Sequence, residues 1–269
     1  TKPSMPQNAD DANGLPYYKP VGRECEVFEH AYKNRLPLLL KGPTGSGKSR
    51  FVEYMSAKMK LPMITVSCHD ETSAVDLLGR YLVKGSETTW QDGPMTRACR
   101  TGAVLYLDEI AEARPDTIVA LHSLTDHRRI LYLDRHDEEI AAPPTFMLIA
   151  SFNPGYQKGW KELKASTRQR FVSIEFQYPS EAVESEIVRA ESNLDMSQVK
   201  LLVQLAGRIR NLAELGLAET VSTRLLVSTA KLMADGLPAR LACDVGIVQP
   251  LTDDAETGAA VRDVVALVF

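Results

Sequence analysis

The sequence predicts an α/β domain, a mainly parallel sheet flanked by helices, followed by a small all-helical domain. Three observations support this prediction. Short apolar runs alternate with longer helical patterns, which is typical of βαβ units. Most of these runs are nearly continuously apolar, as in strands covered on both faces. After Pro179 the strand pattern stops, and only helical periodicity continues.

Five apolar runs are predicted to form the strands of the sheet. The first four are nearly continuous and predict strands that are buried on both faces, whereas the fifth alternates and predicts an edge strand. In chain order they are 36–41 (LPLLLK), 63–67 (MITVS), 104–107 (VLYL), 146–150 (FMLIA) and 172–176 (VSIEF).

The predicted organisation has three parts. Residues 1–15 are polar and are expected to be a flexible tail, residues 16–179 form the α/β domain, and residues 180–269 form the helical domain. Ser180 and Ser222 are suitable helix N-caps, and Gly236 is a suitable helix end.

Bulk composition narrows the class of protein. With 44% hydrophobic and 25% charged residues, the chain resembles an average soluble protein. Its net charge of -4 gives no electrostatic reason to expect a nucleic-acid partner. No apolar run reaches the roughly 18 residues of a membrane helix, so no membrane partner is expected. The four cysteines form no CxxC pair and predict reduced thiols and a cytoplasmic location.

The segment GPTGSGKS fits the phosphate-loop pattern GxxxxGK[ST]. Its glycines permit a tight turn whose N–H groups point at phosphate oxygens, and a predicted helix begins there. The chance alternative is a glycine-rich turn, but the pattern follows a predicted strand as the mechanism requires. It predicts binding of ATP and Mg²⁺, with Lys48 reaching the phosphates and Ser49 ligating the metal. The expected nucleotide-binding residues are Gly42, Pro43, Thr44, Gly45, Ser46, Gly47, Lys48 and Ser49.

Two adjacent carboxylates follow the strand at 104–107. Asp108 is predicted to hold Mg²⁺, directly or through water, and Glu109 to polarise the attacking water. An acidic strand end is common, but two strand ends that lie side by side in one sheet would join this pair to the phosphate loop. The pair favours hydrolysis over transfer of phosphate to a small acceptor.

Together these motifs resemble the AAA+ class of P-loop ATPases. The resemblance implies that Asn153 is a water-orienting sensor, although an Asn before Pro154 also suits a turn cap. It implies that Arg170 is an arginine finger for the neighbouring subunit, with Arg168 as a second contact or a structural residue. It also implies that Arg224 is the sensor arginine of the helical lid, the alternative being a solvated surface arginine.

Further segments resemble the MoxR branch of AAA+ proteins. The stretches 80–95 and 129–140 are similar to its two inserted segments, which touch clients, and Trp90 in the first is favoured as a client contact over a packed loop anchor. Near-verbatim signatures then resemble the CbbQ/NorQ/GvpN group, most of all the CbbQ type: PYYKPVG, LLLKGPTGSGKSRFVE, CHDETSAVDLLGRYL, TDHRR, NPGYQ, STRQRFVSIEF and STRLLV.

This resemblance implies an ATP-driven protein-remodelling ATPase. It implies a homo-hexamer that works with a von Willebrand A domain adaptor, and rubisco as the client, from which inhibitory sugar phosphates are released. The alternatives within the group are maturation of nitric oxide reductase (NorQ type) and a role in gas vesicles (GvpN type). A nucleic-acid motor disagrees with the net charge of -4, and a scaffold with little hydrolysis disagrees with the intact Asp108–Glu109 pair.

Overall fold

A computed structural model describes residues 14–154, 163–213 and 220–269. Residues 1–13 of the predicted tail and residues 155–157 of the NPGYQ signature lie outside these ranges. Contacts divide the chain into an α/β unit, Gly22–Gly42 with Lys48–Phe176, and a helical unit. The helical unit comprises the described part of Thr1–Val21, Pro43–Gly47 and Gln177–Phe269. The last division between the two units, defined by contacts, falls after Phe176. The domain boundary predicted near Pro179 stays a prediction.

The helices and strands of the α/β unit alternate along the chain. In order they are α1 (Glu24–Lys33), β1 (Leu38–Lys41), α2 (Lys48–Lys58), β2 (Met63–Ser67), α3 (Ala74–Leu78), β3 (Gly79–Lys84), β4 (Glu87–Asp92), α4 (Pro94–Thr101), β5 (Val104–Asp108), a 3₁₀ turn (Ile110–Glu112), α5 (Pro115–Thr125), β6 (Ile130–Leu133), β7 (Glu138–Ala141), β8 (Met147–Phe152), α6 (Ala165–Arg168) and β9 (Val172–Glu175).

The main sheet has five parallel strands in the order β2-β5-β8-β1-β9, so the predicted parallel α/β architecture is confirmed. β1 lies between β8 and β9, with Leu38 opposite both Ile149 and Val172. Because neighbouring parallel strands end at the same edge, the segments that follow β1, β5 and β8 emerge side by side. This edge is where the predicted phosphate loop, acidic pair and sensor asparagine begin.

The two outermost strands of the sheet, β2 and β9, agree only in part with the sequence prediction. The alternating strand β9 is an edge, as predicted. Among the described strands β2 pairs with β5 alone and forms the opposite side of the sheet, and the prediction that it is buried on both faces is wrong. All five of its residues are half-buried or exposed. A five-residue apolar run does not reveal how many neighbours the strand has.

Two antiparallel hairpins lie outside the main sheet, in the segments predicted to be inserted. β3 pairs with β4, and β6 pairs with β7. The hairpins contact each other, because the Trp90 indole stacks on the His136 ring at 4.7 Å between centroids and 7° between planes. The Tyr81 hydroxyl lies 3.1 Å from His136 Nδ1. Trp90 is therefore packed between the hairpins, and its contact with a client stays a prediction.

Arg100 on α4 joins the same two hairpins through charge. Its Nε donates to Asp92 of β4 at 2.8 Å, and its two terminal nitrogens donate to the Glu138 carboxylate of β7 at 2.7 and 2.5 Å. Such a bidentate pair is geometrically specific. The stacked rings and the shared guanidinium together hold the hairpins as one layer.

The helical unit packs around its own hydrophobic core. Its elements are α7 (Glu181–Ser192), α8 (Met196–Ala213), α9 (Thr223–Ala234), α10 (Ala239–Cys243), a π-helical turn (Asp244–Val248), α11 (Gln249–Leu251) and α12 (Ala255–Ala266). The residues that recur along α8 at helical spacing are buried: Val199, Leu202, Val203, Ala206 and Ile209. Ser222 caps α9 through its side chain, which accepts from Leu225 N–H at 3.3 Å. Ser180 also lies at an N-cap position, and its carbonyl accepts from Glu184 N–H at 2.8 Å.

None of the helices in the described ranges is both long enough and apolar enough to cross a bilayer. All four cysteines are free thiols.

Candidate active site

The phosphate-loop segment has the backbone that its glycines predict. Gly42, Gly45 and Gly47 have φ of 150°, 71° and 94°, conformations that side-chain-bearing residues rarely adopt. At Gly42 a β-carbon would lie 2.3 Å from the carbonyl oxygen of Phe176, the residue that follows β9. The chain therefore leaves β1 so close to the next backbone that only glycine fits.

Replacement of Gly42 by alanine should weaken ATP binding and lower the melting temperature. The new β-carbon meets backbone that cannot move aside without displacing the loop, at a cost of about 1–3 kcal/mol. Gly236→Ala is the matched control, because Gly236 also has positive φ (98°) but has nothing within 4 Å of a new β-carbon. Differential scanning calorimetry and ATP titration would compare the two variants. ATP affinity of Gly42→Ala equal to that of Gly236→Ala would contradict this account of the loop.

Lys48 is the first residue of α2 and is buried. Its Nζ donates to the Gly42 carbonyl at 2.7 Å, so the ammonium lies back over the residue at which the loop begins. Phe51 on α2 packs between two other rings. Its ring centroid lies 5.7 Å from that of Phe28 and 5.4 Å from that of Phe176. The packing of these rings gives α2 a fixed start, where a helix N-terminus favours anionic groups.

Asp108 lies at the centre of a hydrogen-bonded cluster at the end of β5. The Ser49 hydroxyl donates to Asp108 Oδ2 at 3.1 Å, and the Tyr106 hydroxyl donates to Oδ1 at 2.8 Å. The Ser151 hydroxyl of β8 also donates to Oδ1. The Tyr106 and Ser49 hydroxyls lie 3.2 Å apart, and burial raises the pKa of Tyr106, which keeps its phenol protonated as a donor.

Ser49 and Asp108 fit a magnesium ion. Mg²⁺ prefers oxygen ligands, takes few from protein and keeps several waters. The hydroxyl and carboxylate oxygens that would serve it are already adjacent at 3.1 Å. A bound Mg²⁺ would supply charge neutralisation for the phosphates.

Glu109 adopts a left-handed backbone conformation, with φ of 55°, which is uncommon for a residue other than glycine. Its N–H donates to the Ser151 hydroxyl at 3.1 Å. The side chain is exposed while Asp108 is half-buried, so the two adjacent carboxylates have different surroundings. Burial and the charges of Asp108 and Glu109 raise the pKa of the nearby Cys68 thiol to about 12, which keeps it neutral at pH 7.

The remaining predicted residues of the α/β unit lie at opposite ends of the parallel strands. Asn153 is at the end where the phosphate loop begins, whereas Arg168 and Arg170 are at the other end, where β9 starts beside the start of β1. Asn153 directly follows β8 and is half-buried. Arg168 ends α6, and Arg170 follows two residues later, just before β9. Both arginines are exposed, and neither forms an ion pair with a residue in the described ranges. Burial, and to a smaller extent the charge of Arg170, lowers the pKa of His122 on α5.

In the helical unit, Arg224 lies in the first turn of α9 and is exposed. The loop segment Pro43–Gly47 belongs to this unit. A β-carbon on Gly45 would lie 2.5 Å from Ser222 Cβ and 3.5 Å from Arg224 Cβ. The start of α9 therefore packs directly on the middle of the phosphate-loop segment.

Sequence reasoning missed Tyr106 and Ser151. Tyr106 is two positions before Asp108, and residues two apart in a strand share a face, so its hydroxyl could have been placed beside the carboxylate. Ser151 is the only polar residue in the buried run of β8 and precedes Asn153 by two positions. A buried hydroxyl needs a partner, which is the signal that could have identified it.

The sheet, the glycine loop and the strand-end carboxylates define a P-loop ATPase. Residues 37–171 match the AAA domain (dynein-related subfamily), and residues 184–268 match the CbbQ/NirQ/NorQ C-terminal family. This chain belongs to the CbbQ/NirQ/NorQ group of MoxR-type AAA+ ATPases.

Individual relatives are similar over nearly the whole chain. Identity is 56% to Protein NorQ of Paracoccus denitrificans, with 94% of each chain covered. It is 52% to the denitrification regulatory protein NirQ of Pseudomonas aeruginosa, covering 95% of this chain and 98% of the relative. It is 51% to Protein CbbQ of Hydrogenophilus thermoluteolus, covering 94% and 95%.

One crystal structure, of a protein from Cytophaga hutchinsonii, covers 92% of this chain and 89% of its own, with a TM-score of 0.50 and 16% identity. At that identity it supports the fold alone.

Proposed function

We propose that this protein hydrolyses ATP at residues 42–49, Asp108 and Glu109 to drive the remodelling of another protein. The contact between Ser49 and Asp108, at 3.1 Å, carries the proposal, because it joins the phosphate loop to the acidic strand end. Lys48 holds the phosphates, Ser49 and Asp108 hold Mg²⁺, and Glu109 polarises the attacking water. Asn153 orients that water from the neighbouring strand end.

The position and exposure of the arginines support ATP turnover in an assembly. Arg170 is exposed on the α/β unit, which is the accessibility required of a finger that enters a neighbouring subunit's site. Arg168 supplies a second contact, and Arg224 acts from the lid. The working form is a homo-hexamer in the cytoplasm, partnered by a von Willebrand A domain adaptor. Its hairpin layer faces the client.

Rubisco is the client in the first form of the proposal, and nitric oxide reductase is the client in the second. The relative named CbbQ supports the first at 51% identity, and the relative named NorQ supports the second at 56%. A difference of this size does not separate the two types.

Client reactivation distinguishes the two forms. The protein would be mixed with its adaptor, ATP and either inhibitor-blocked rubisco or immature nitric oxide reductase, and recovery of each client's activity followed. ATP-dependent recovery of one client, absent with Lys48→Ala, supports that form. Recovery of neither client, together with turnover stimulated by nucleic acid, would overturn protein remodelling in favour of a nucleic-acid motor.

A further inference from the structure

A hydrogen bond fixes one peptide of the phosphate-loop segment from within the helical unit. The Tyr178 hydroxyl donates to the Thr44 carbonyl at 3.0 Å. In a trans peptide the C=O and the following N–H point in opposite directions. The Thr44 carbonyl therefore faces Tyr178, and the Gly45 N–H faces away from it. That N–H is one of the loop's donors to phosphate in the proposed function.

Arg210 on α8 holds the Tyr178 ring in place. Its guanidinium carbon lies 4.3 Å from the ring centroid, within cation–π range. The guanidinium itself is immobilised, because Nε donates to the Val221 carbonyl at 2.8 Å and both terminal nitrogens donate to Glu184, each at 2.8 Å. A planar group fixed by three hydrogen bonds provides a rigid support for the aromatic ring.

Glu184 is the buried centre of this arrangement. Its side chain is 1% exposed, and its Oε1 also accepts from the Thr223 hydroxyl at 2.6 Å. Thr223 is the residue between the α9 cap Ser222, which packs on Gly45, and Arg224. One buried carboxylate thus connects to the phosphate-loop segment by two routes, through Arg210 and Tyr178 and through the start of α9.

We propose that Tyr178 is a positioning residue for nucleotide binding, held by the Glu184–Arg210 pair, which orients the Gly45 N–H toward the phosphates. The proposal rests on the proposed function, since it requires nucleotide at residues 42–49. Tyr178 itself acts through the Thr44 peptide. Its loss alters how well the loop binds phosphate while the groups that act on water stay unchanged.

Tyr178→Phe tests the proposal, because it deletes the hydroxyl and keeps the ring under Arg210. We expect the Kd for fluorescently labelled Mg-ADP to rise about three- to tenfold, the range of one neutral hydrogen bond. The KM for ATP should rise with it, and kcat should change by less than about twofold, because the lost interaction serves ground state and transition state alike. A general folding defect would instead lower the active fraction and leave Kd unchanged.

Tyr32→Phe is the matched control, because the Tyr32 hydroxyl on α1 makes no hydrogen bond with a described residue. Arg210→Lys keeps the charge beside Glu184 and removes the planar support. If Arg210 acts through Tyr178, the double variant should bind ADP no more weakly than the weaker single variant. If the Kd for ADP of the double variant instead rises by the product of the two single-variant increases, the role assigned to Arg210 is overturned.

An ADP affinity of Tyr178→Phe within twofold of the Tyr32→Phe value would overturn the role of Tyr178 and leave the proposed function standing. Failure of the wild-type protein itself to bind ADP would remove the proposed function and this inference with it. Tyr178→Phe alone decides the central claim if Arg210→Lys does not fold.

Discussion

Glu109→Gln should stop ATP turnover while ATP binding persists. The amide cannot accept a proton from water, so the loss should be about 10² to 10⁴-fold, the usual contribution of a general base. Binding should survive because Glu109 is exposed and the contact between Ser49 and Asp108 does not involve it. Phosphate release and equilibrium binding of labelled ATP would measure the two effects separately.

Two further variants serve as controls for Glu109→Gln. Lys48→Ala should lose binding as well as turnover, because it removes the ammonium that lies over Gly42. Glu71→Gln removes the same charge at an exposed position after β2 and should hydrolyse ATP normally. Turnover by Glu109→Gln at the rate of Glu71→Gln would show that water is activated elsewhere.

The turnover rate of Arg170→Ala should fall about 10³- to 10⁵-fold while ATP binding persists, because in the proposed assembly Arg170 acts on the phosphate of a neighbouring subunit. Activity per subunit of the wild type should fall on dilution below the assembly threshold. Arg240→Ala, at an exposed position on α10, controls for loss of a surface charge. Steady-state turnover across a dilution series would measure all of these effects.

Mixed assemblies test whether the arginine acts between subunits. A Lys48→Ala subunit has an intact Arg170, so mixing it with Arg170→Ala subunits should restore part of the activity. The contradicting result is wild-type turnover by both Arg170→Ala and Arg168→Ala. Neither arginine would then be a finger, and the requirement for a ring would lose its main support.

The sequence predicted those parts of the fold and site that depend on local pattern. The apolar runs located the five strands of the main sheet, and the glycines that were predicted to permit a tight turn have positive φ at Gly42, Gly45 and Gly47. The positions of the segment 42–49 and of the Asp108–Glu109 pair were predictable for the same reason, since each is a contiguous motif. Asp108 and Ser49 were expected at one sheet edge, and their side chains do meet there.

What escaped prediction depends on contacts between residues far apart in the chain. The outermost position of β2 depends on which strands pair with it, and the local sequence MITVS does not determine that pairing. Ser151 reaches Asp108 across 43 positions, and Tyr178 reaches Thr44 across 134. Each of these contacts joins a common residue type to a backbone or carboxylate oxygen. Only the folded topology singles out those residues from other serines and tyrosines.

The packing of the two hairpins also constrains how relatives can diverge. Among the described strands neither hairpin pairs with the main sheet, so each resembles a module that can be exchanged by itself. Trp90 and His136 nevertheless complete one stack, and Arg100 needs both Asp92 and Glu138. A chimera that imports one hairpin would leave half of each contact without its counterpart. The pair of hairpins with helix α4 is therefore one structural unit, and grafts should transfer all three together.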